Sequence, residues 1–309
     1  MVPSIDEYAE RLRALTALGH RQICTIDGKS LASMDNAPVL SVVTVAWNSG
    51  QSIERTIASV MAQSYRSIEY IVIDGGSTDG TLDILRRWQS RISYWHSVRD
   101  AGISDAFNLG IAASHGRYVA LVNADDWMSP DQAARAIDAL ERSGAGFVFG
   151  RLAHHRLDGS VAYTMDGQSE CWRDGLWRMP HVNHPTVVAR RSAYESVGLF
   201  DVERRIAMDY DWHLRAELQG VRGVYVAQIL GHMTEGGICN RNWQGGLREV
   251  RDIAVMRTGS RVFPNLTYAA RLARGRARLA LRRVLPQRLV DMIHRKINPR
   301  YAPTDLSGN

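Results

Sequence analysis

The chain has 309 residues, 45% hydrophobic and 23% charged, a balance that supports a buried core and excludes a disordered, collagen-like or coiled-coil protein. Its net charge of +6 is localised: residues 261–300 hold ten arginines and Lys296 against one acid, Asp291, a net +10, which leaves −4 on the rest. A nucleic-acid enzyme spreads positive charge along its groove, so no nucleic-acid partner is expected for this slightly acidic body.

In chain order, residues 1–37 contain an amphipathic helical segment with Tyr8, Leu12 and Leu15, here without an assigned role. Val39–Ala46 is a β-branched run that predicts a strand, and Ile53, Ile57, Val60 and Met61 follow at helical spacing. Tyr70–Ile73 predicts a second strand, followed by a helix carrying Leu82, Leu85 and Trp88. Ile92–Val98 predicts a third, and Ile103, Ala106, Phe107 and Gly110 share the next helical face. Tyr118–Val122 predicts a fourth, with Ser129 as N-cap and Pro130 opening a helix, and Phe147–Phe149 a fifth. Such alternation implies an α/β protein with parallel strands and helices on both faces.

After Gly150 the rhythm changes. Asp158-Gly159 marks a hairpin within Arg151–Met165, where His154-His155 lacks a third metal ligand and reads as a solvated strand feature. A loop with Trp172 and Trp177 leads to His184-Pro185 and a strand at Thr186–Ala189. Helices surround Tyr194 and cover Asp209–Leu218; a strand runs through Val224–Leu230, and a Gly-rich loop covers Gly231–Asn240. The basic tail reads as two helices: Arg271, Arg274, Arg278 and Arg282 on one face of the first, Ala273, Ala277, Ala280 and Val284 on another. Pro286 opens the second, with Leu289, Ile293 and Ile297 in line. The expected division is an N-terminal helical extension (1–37), a central α/β domain (38–240, in two halves that meet at 126/127) and a C-terminal basic helical appendage (241–309).

No apolar run approaches the roughly 18 residues that span a bilayer, and the N-terminus lacks the layout of a secretory signal. Cys24, Cys171 and Cys239 have no CxxC spacing, which argues against a disulfide framework or zinc knuckle. A reduced, cytosolic chain is expected.

In an open α/β sheet, ligands bind outside the carboxyl ends of the strands. Four successive strand ends carry Trp47-Asn48-Ser49, Asp74-Gly75-Gly76-Ser77-Thr78-Asp79-Gly80, Arg99-Asp100-Ala101-Gly102 and Asn123-Ala124-Asp125-Asp126. Acids alone repel phosphates; they suit a divalent metal that holds phosphates, or hydrogen bonds to sugar and base. Asp125-Asp126 can supply such ligands or simply cap a turn, as can Asp74. The glycines form neither GxGxxG nor a P-loop.

Together, Val42–Asn48, Ile71–Thr81, Asp100–Gly110 and Val122–Asp126 resemble the donor-binding half of family 2 glycosyltransferases with the GT-A fold. His184-Pro185-Thr186, Gly198–Asp201 and Met208–Trp212 resemble the acceptor half, so the likeness runs from about Pro38 to Leu218. It implies that Thr44, Trp47 and Asn48 line the nucleotide, that Asp74 reaches the base, and that Asp100 and Asp105 face the donor. Asn123, Ala124 and Asp125 occupy the family's Asp-x-Asp element, with Asp125 and Asp126 at a Mn²⁺ or Mg²⁺ ion. Asp209 corresponds to the catalytic base, and Asp211 becomes its rival should the helix begin only after Asp209. The sequence departs from the family at Asn123, where Asp is usual, at Met208, where Glu is usual, and at Ala46, near which Pro is common.

The resemblance implies an inverting transferase that moves a sugar from a nucleotide-diphosphate sugar, with a UDP-sugar favoured, to a hydroxyl of a saccharide or lipid-linked acceptor. The setting it implies is cell-surface polysaccharide or glycolipid synthesis. His184, Trp172 and Trp177 are acceptor-side candidates, though each also reads as structural, and loop 232–240 can close over the donor. The basic tail suits an anionic membrane surface, which would hold the enzyme at the inner face of the cell membrane. The alternative is a catalytically degenerate module that only binds nucleotide sugar.

Overall fold

A computed structural model describes residues 2–17, 22–23, 39–172, 174–234, 242–284 and 301–302. Cys24, Cys239, loop residues 235–240 and the second basic helix expected after Pro286 lie outside the described residues.

Four strands form one parallel block of the sheet: β2 (Leu40–Ala46), β3 (Ile68–Asp74), β4 (Tyr94–Ser97) and β5 (Tyr118–Asn123). They are parallel in the order β4-β3-β2-β5, joined by α2 (Ile53–Met61), α3 (Thr81–Trp88) and α4 (Ile103–Ala113). Every residue of β2 is buried, as a strand covered on both faces requires. Alternation then sorts its side chains. Val43 and Val45 join one core with Phe107 and Leu109 of α4; Leu40 and Val42 join another with Ile57 of α2 and Leu85 of α3. Gly110 permits the closest approach of α4 to β2, since a Cβ there would sit 2.1 Å from Val43 Cγ1.

The remainder departs from a simple parallel series. β9 (Val188–Arg190) lies between β5 and β7 (Phe147–His155), antiparallel to both, so the fifth strand in sequence is not adjacent to the fourth. β10 (Gly223–Thr234) runs parallel to β7, and β6 (Trp127–Met128) caps it antiparallel. Pairing of Trp127 and Met128 in the sheet delays the next helix: α5 spans Gln132–Ser143 with Asp131 at the N-cap, not Ser129. The expected hairpin is β7 with β8 (Val161–Met165). His154 within it is buried and stacks on Tyr163 at 4.4 Å, which corrects its reading as solvated. The short strands β1 (Gln22–Ile23) and β11 (Tyr301–Ala302) add to β4 and β8.

Helix α1 (Ile5–Ala17) lies on the α4 side, burying Tyr8 and Leu12 in that core. Beyond β9 come α6 (Arg191–Val197) and α7 (Met208–Leu218). α8 (Trp243–Thr258), which the expected division assigns to the appendage, buries Val250, Ile253 and Ala254 against Tyr210 and Leu214 of α7. α9 (Val262–Val284) is one 23-residue helix. Among the described residues, no helix is long and apolar enough to cross a membrane.

Candidate active site

The carboxyl ends of β2, β3, β4 and β5 converge on one rim. Trp47 is 70% exposed there. Asn48 carries the one positive φ among described non-glycine residues, 49°. That conformation aims its amide across the rim, where Oδ1 accepts from Thr78 N at 2.9 Å and its own N–H donates to Ser77 Oγ at 2.7 Å. Thr44 does not line this rim. It is fully buried beneath the sheet and accepts from Tyr70 O–H at 3.1 Å.

Asp74 is also fully buried. Its oxygens accept from Gly76 N (3.1 Å), Ser77 N (2.9 Å), Ser77 Oγ (2.5 Å) and Ser97 Oγ (2.6 Å). It builds the turn and has no free face for a base. Asp105, 2% exposed, is likewise committed, to Arg11, Tyr8 and Ala101. Burial alone would raise its pKa, but the bonds from Arg11 and Tyr8 outweigh that and hold it below the usual carboxylate range. Asp100 stays half-buried at the rim. Burial pushes its pKa up, opposed by the Gly102 N–H and reinforced by the charges of Asp105 and Asp74.

At the end of β5, Asp125 is exposed, Asn123 half-buried, and Ala124 and Asp126 buried. Asn123 Nδ2 donates to Asp126 Oδ2 at 2.9 Å, which leaves Asn123 Oδ1 and Asp126 Oδ1 buried without a partner among the described residues. Burial, then the charge of Asp125, push the Asp126 carboxyl up to about 8. One outward carboxylate backed by two orphaned oxygens is an all-oxygen donor set that fits Mg²⁺ or Mn²⁺. No set of three or more His, Cys, Asp or Glu converges among the described residues, so such an ion would draw further ligands from a diphosphate or water.

On the acceptor side, Asp209 is the second residue of α7 and half-buried. Its one hydrogen bond among the described residues is from Tyr210 N at 2.8 Å. Burial raises its pKa, and neighbouring His184 opposes that rise. His184, half-buried in a 3₁₀ turn with Pro185 and Thr186, has no partner for either ring nitrogen among the described residues and packs edge-on against Phe200 and His213 at 6.0 Å. Asp211 has the opposite environment. It is fully buried, accepting from Arg215 Nε and Arg257 Nε at 2.9 Å each. The helix begins before Asp209, which removes the circumstance that made Asp211 a rival. Trp172 packs against Tyr210, and Trp177 stacks on Phe263 of α9 at 4.7 Å, so Trp177 fastens the C-terminal helix.

The family model for glycosyl transferase family 2 matches residues 41–198, a stretch that holds the carboxyl ends of β2, β3, β4 and β5. The chain belongs to glycosyl transferase family 2. An uncharacterized glycosyltransferase of Mycobacterium tuberculosis is 35% identical over 193 residues, 60% of this family 2 enzyme and 71% of the relative. The succinoglycan biosynthesis protein ExoO of Rhizobium meliloti is 29% identical over 165 residues, 53% of this chain and 46% of that protein. Among solved structures, S. aureus TarS residues 1–349 with UDP-GlcNAc superposes with a TM-score of 0.55 at 17% identity, over 70% of this chain and 66% of that one. The match spans 39% of the longer TarS chain. Mannosyltransferase PcManGT of Pyrobaculum calidifontis, with GDP-Man and Mn²⁺, gives 0.52 at 14% identity over 95% and 91%. These likenesses establish the GT-A fold.

Sequence reasoning missed four contributors to the transferase's site. Arg55 lies 3.7 Å over the Trp127 ring and donates to the Asp125 carbonyl at 3.1 Å, pinning the loop after β5. Glu249 of α8 accepts from Ile206 N and Ala207 N at 2.9 Å each, fixing the entry to α7. His213, 2% exposed, lies one helical turn beyond Asp209. Arg11 on α1 holds Asp105. Arg55, Glu249 and Arg11 each act across a distance in sequence that no local motif spans.

Proposed function

We propose that the chain transfers a sugar from a nucleotide-diphosphate sugar, with a UDP-sugar favoured, to a hydroxyl of a saccharide or lipid-linked acceptor, with inversion at the anomeric carbon. The observation that carries this reading is Asp209. It is a half-buried carboxylate that has no side-chain hydrogen-bond partner among the described residues, whereas the fully buried acids Asp74, Asp105, Asp126 and Asp211 are all bonded to side chains. Asp209 takes the proton of the acceptor hydroxyl as its oxygen bonds to the anomeric carbon. The bond from that carbon to the diphosphate breaks, and its electron pair leaves with the nucleoside diphosphate. An acid with a raised pKa is a better base for this work than a free carboxylate, whose pKa is about 3.9.

Trp47, Asn48 and Asp100 are the proposed nucleotide contacts, and His184 and Trp172 the acceptor contacts. Asp125, with Asn123 and Asp126 behind it, would hold a Mn²⁺ or Mg²⁺ ion that supplies positive charge against the diphosphate. Support for donor and metal comes from the UDP-GlcNAc of TarS and the GDP-Man with Mn²⁺ of PcManGT. Support for surface-polysaccharide synthesis comes from the name of ExoO. Thermal unfolding with UDP, GDP, dTDP, CDP and ADP, each with and without Mn²⁺, tests the donor. A ligand at 100 times its Kd adds about 2.7 kcal/mol, so one nucleotide should raise Tm by several degrees, and only with metal. No shift with any pair overturns the reading.

The proposed setting is the inner face of the cell membrane. Along α9, Val262 and Leu266 are more than 60% exposed and share a stripe with exposed Ala269, Ala273 and Ala280, flanked by exposed Arg274 and Arg276. An apolar stripe bordered by cations suits an interface of anionic lipid. Flotation with phosphatidylglycerol vesicles should show salt-sensitive binding that is lost when Arg274 and Arg276 become Glu and Leu266 becomes Ser.

A further inference from the structure

The segment before the family match packs against the donor rim. Tyr8 O–H donates to Asp105 Oδ1 at 2.5 Å, and Arg11 closes a fork on the same carboxylate, Nη1 to Oδ1 at 2.5 Å and Nη2 to Oδ2 at 3.0 Å. Asp105 Oδ2 also accepts from Ala101 N at 2.9 Å. Ala101 belongs to the loop between β4 and α4, whose next amide, Gly102 N, donates to Asp100 Oδ1 at 2.9 Å. Asp100 presses on the turn after β3 so closely that a Cβ on Gly75 would lie 2.7 Å from its Oδ2. A continuous chain of bonded groups therefore runs from α1 to the one half-exposed acid of that loop. The residues leading into α1 are also tied to the segment after α6, where Leu199 N donates to Pro3 O at 3.3 Å.

We propose that Arg11 is a positioning residue for the donor nucleotide: by forking Asp105 it fixes the loop that presents Asp100 at the rim. This rests on the donor reading given above. The fork explains the choice of arginine, since a planar guanidinium orients a carboxylate in a way a point charge cannot. Arg11 remains 42% exposed while Asp105 is 2% exposed, so the buried partner is the one being oriented. Without Arg11 the Asp105 carboxylate can turn, Ala101 N–H loses its fixed acceptor, and Asp100 no longer sits in one place against Gly75.

The test is calorimetric titration of the full chain with whichever of UDP, GDP, dTDP, CDP and ADP it binds, in Mn²⁺, beside thermal unfolding. Losing a charged fork is expected to weaken nucleotide binding about tenfold in R11A, while R11K recovers part of the loss. Y8F, which removes one bond and keeps the charge, falls between R11A and the intact chain and serves where R11A fails to fold. Arg13, which donates to Ala9 O on the same helix, is the control for charge alone, and R13A should bind like the intact chain. In donor hydrolysis without acceptor, KM should rise in R11A far more than kcat falls. Nucleotide affinity within twofold in R11A, or equal weakening in R13A, overturns the proposal while leaving the donor reading intact. If the intact chain binds none of UDP, GDP, dTDP, CDP and ADP, the donor reading falls and Arg11 has nothing to position.

Discussion

Asp209 and Asp211 stand two residues apart on one helix and have opposite environments. Asp209 has its charge disfavoured by burial with little compensation; Asp211 has two arginines. The signs follow. A carboxyl whose folded pKa is raised contributes stability below its ordinary pKa, and that contribution is lost as pH rises through the raised value. D209N should therefore melt higher than the intact chain at pH 8 while losing about 100- to 10,000-fold in turnover, measured by nucleoside diphosphate release. Because turnover needs the carboxylate, the acid limb of the rate profile should lie above the ordinary Asp range. An acid limb near pH 4 would count against Asp209. D211A has the reverse pattern: it strands Arg215, 6% exposed, at a cost of about 3–5 kcal/mol. Its urea midpoint should fall sharply, whatever the effect on rate.

At the level of elements, α4 joins the two halves. Its Asn108 exchanges hydrogen bonds with Phe200, Nδ2 to the carbonyl and N–H to Oδ1 at 2.9 Å each, and Ser104 Oγ donates to Arg204 O at 2.8 Å. G110A, which forces α4 off β2, should cost about 1–3 kcal/mol and should also weaken transfer, because α4 cannot shift without carrying Asp105. Chemical denaturation with parallel kinetics checks both.

The strands β2 to β5 are legible in sequence because they are buried on both faces and follow one another through helices. Ser129-Pro130 misled because a local cap signal lost to the long-range pairing of Trp127 with His232. At the site, an acid at a strand end reads the same whether it faces a ligand or a backbone amide. Asp74 and Asp105 have their oxygens bonded within the protein, and the arginine that orients Asp105 stands 94 residues away. Asp209, flagged through the motif around it, accepts among the described residues from the Tyr210 N–H and from no side chain.

For the whole molecule, one consequence lies in β9. It is only three residues long and comes after residue 187, yet it sits in the middle of the sheet, closing the gap between β5 and β7. During synthesis the β4-β3-β2-β5 block has all its own residues once Asn123 has emerged, but one margin of β5 stays open for the next 65 residues or so at a translation rate of about 5–20 residues per second. An open, apolar strand margin templates pairing with other chains. A fragment ending at residue 160 should accordingly self-associate in light scattering, whereas the full chain should not. In the cell, the vulnerable interval of this enzyme is the few seconds before Val188 arrives.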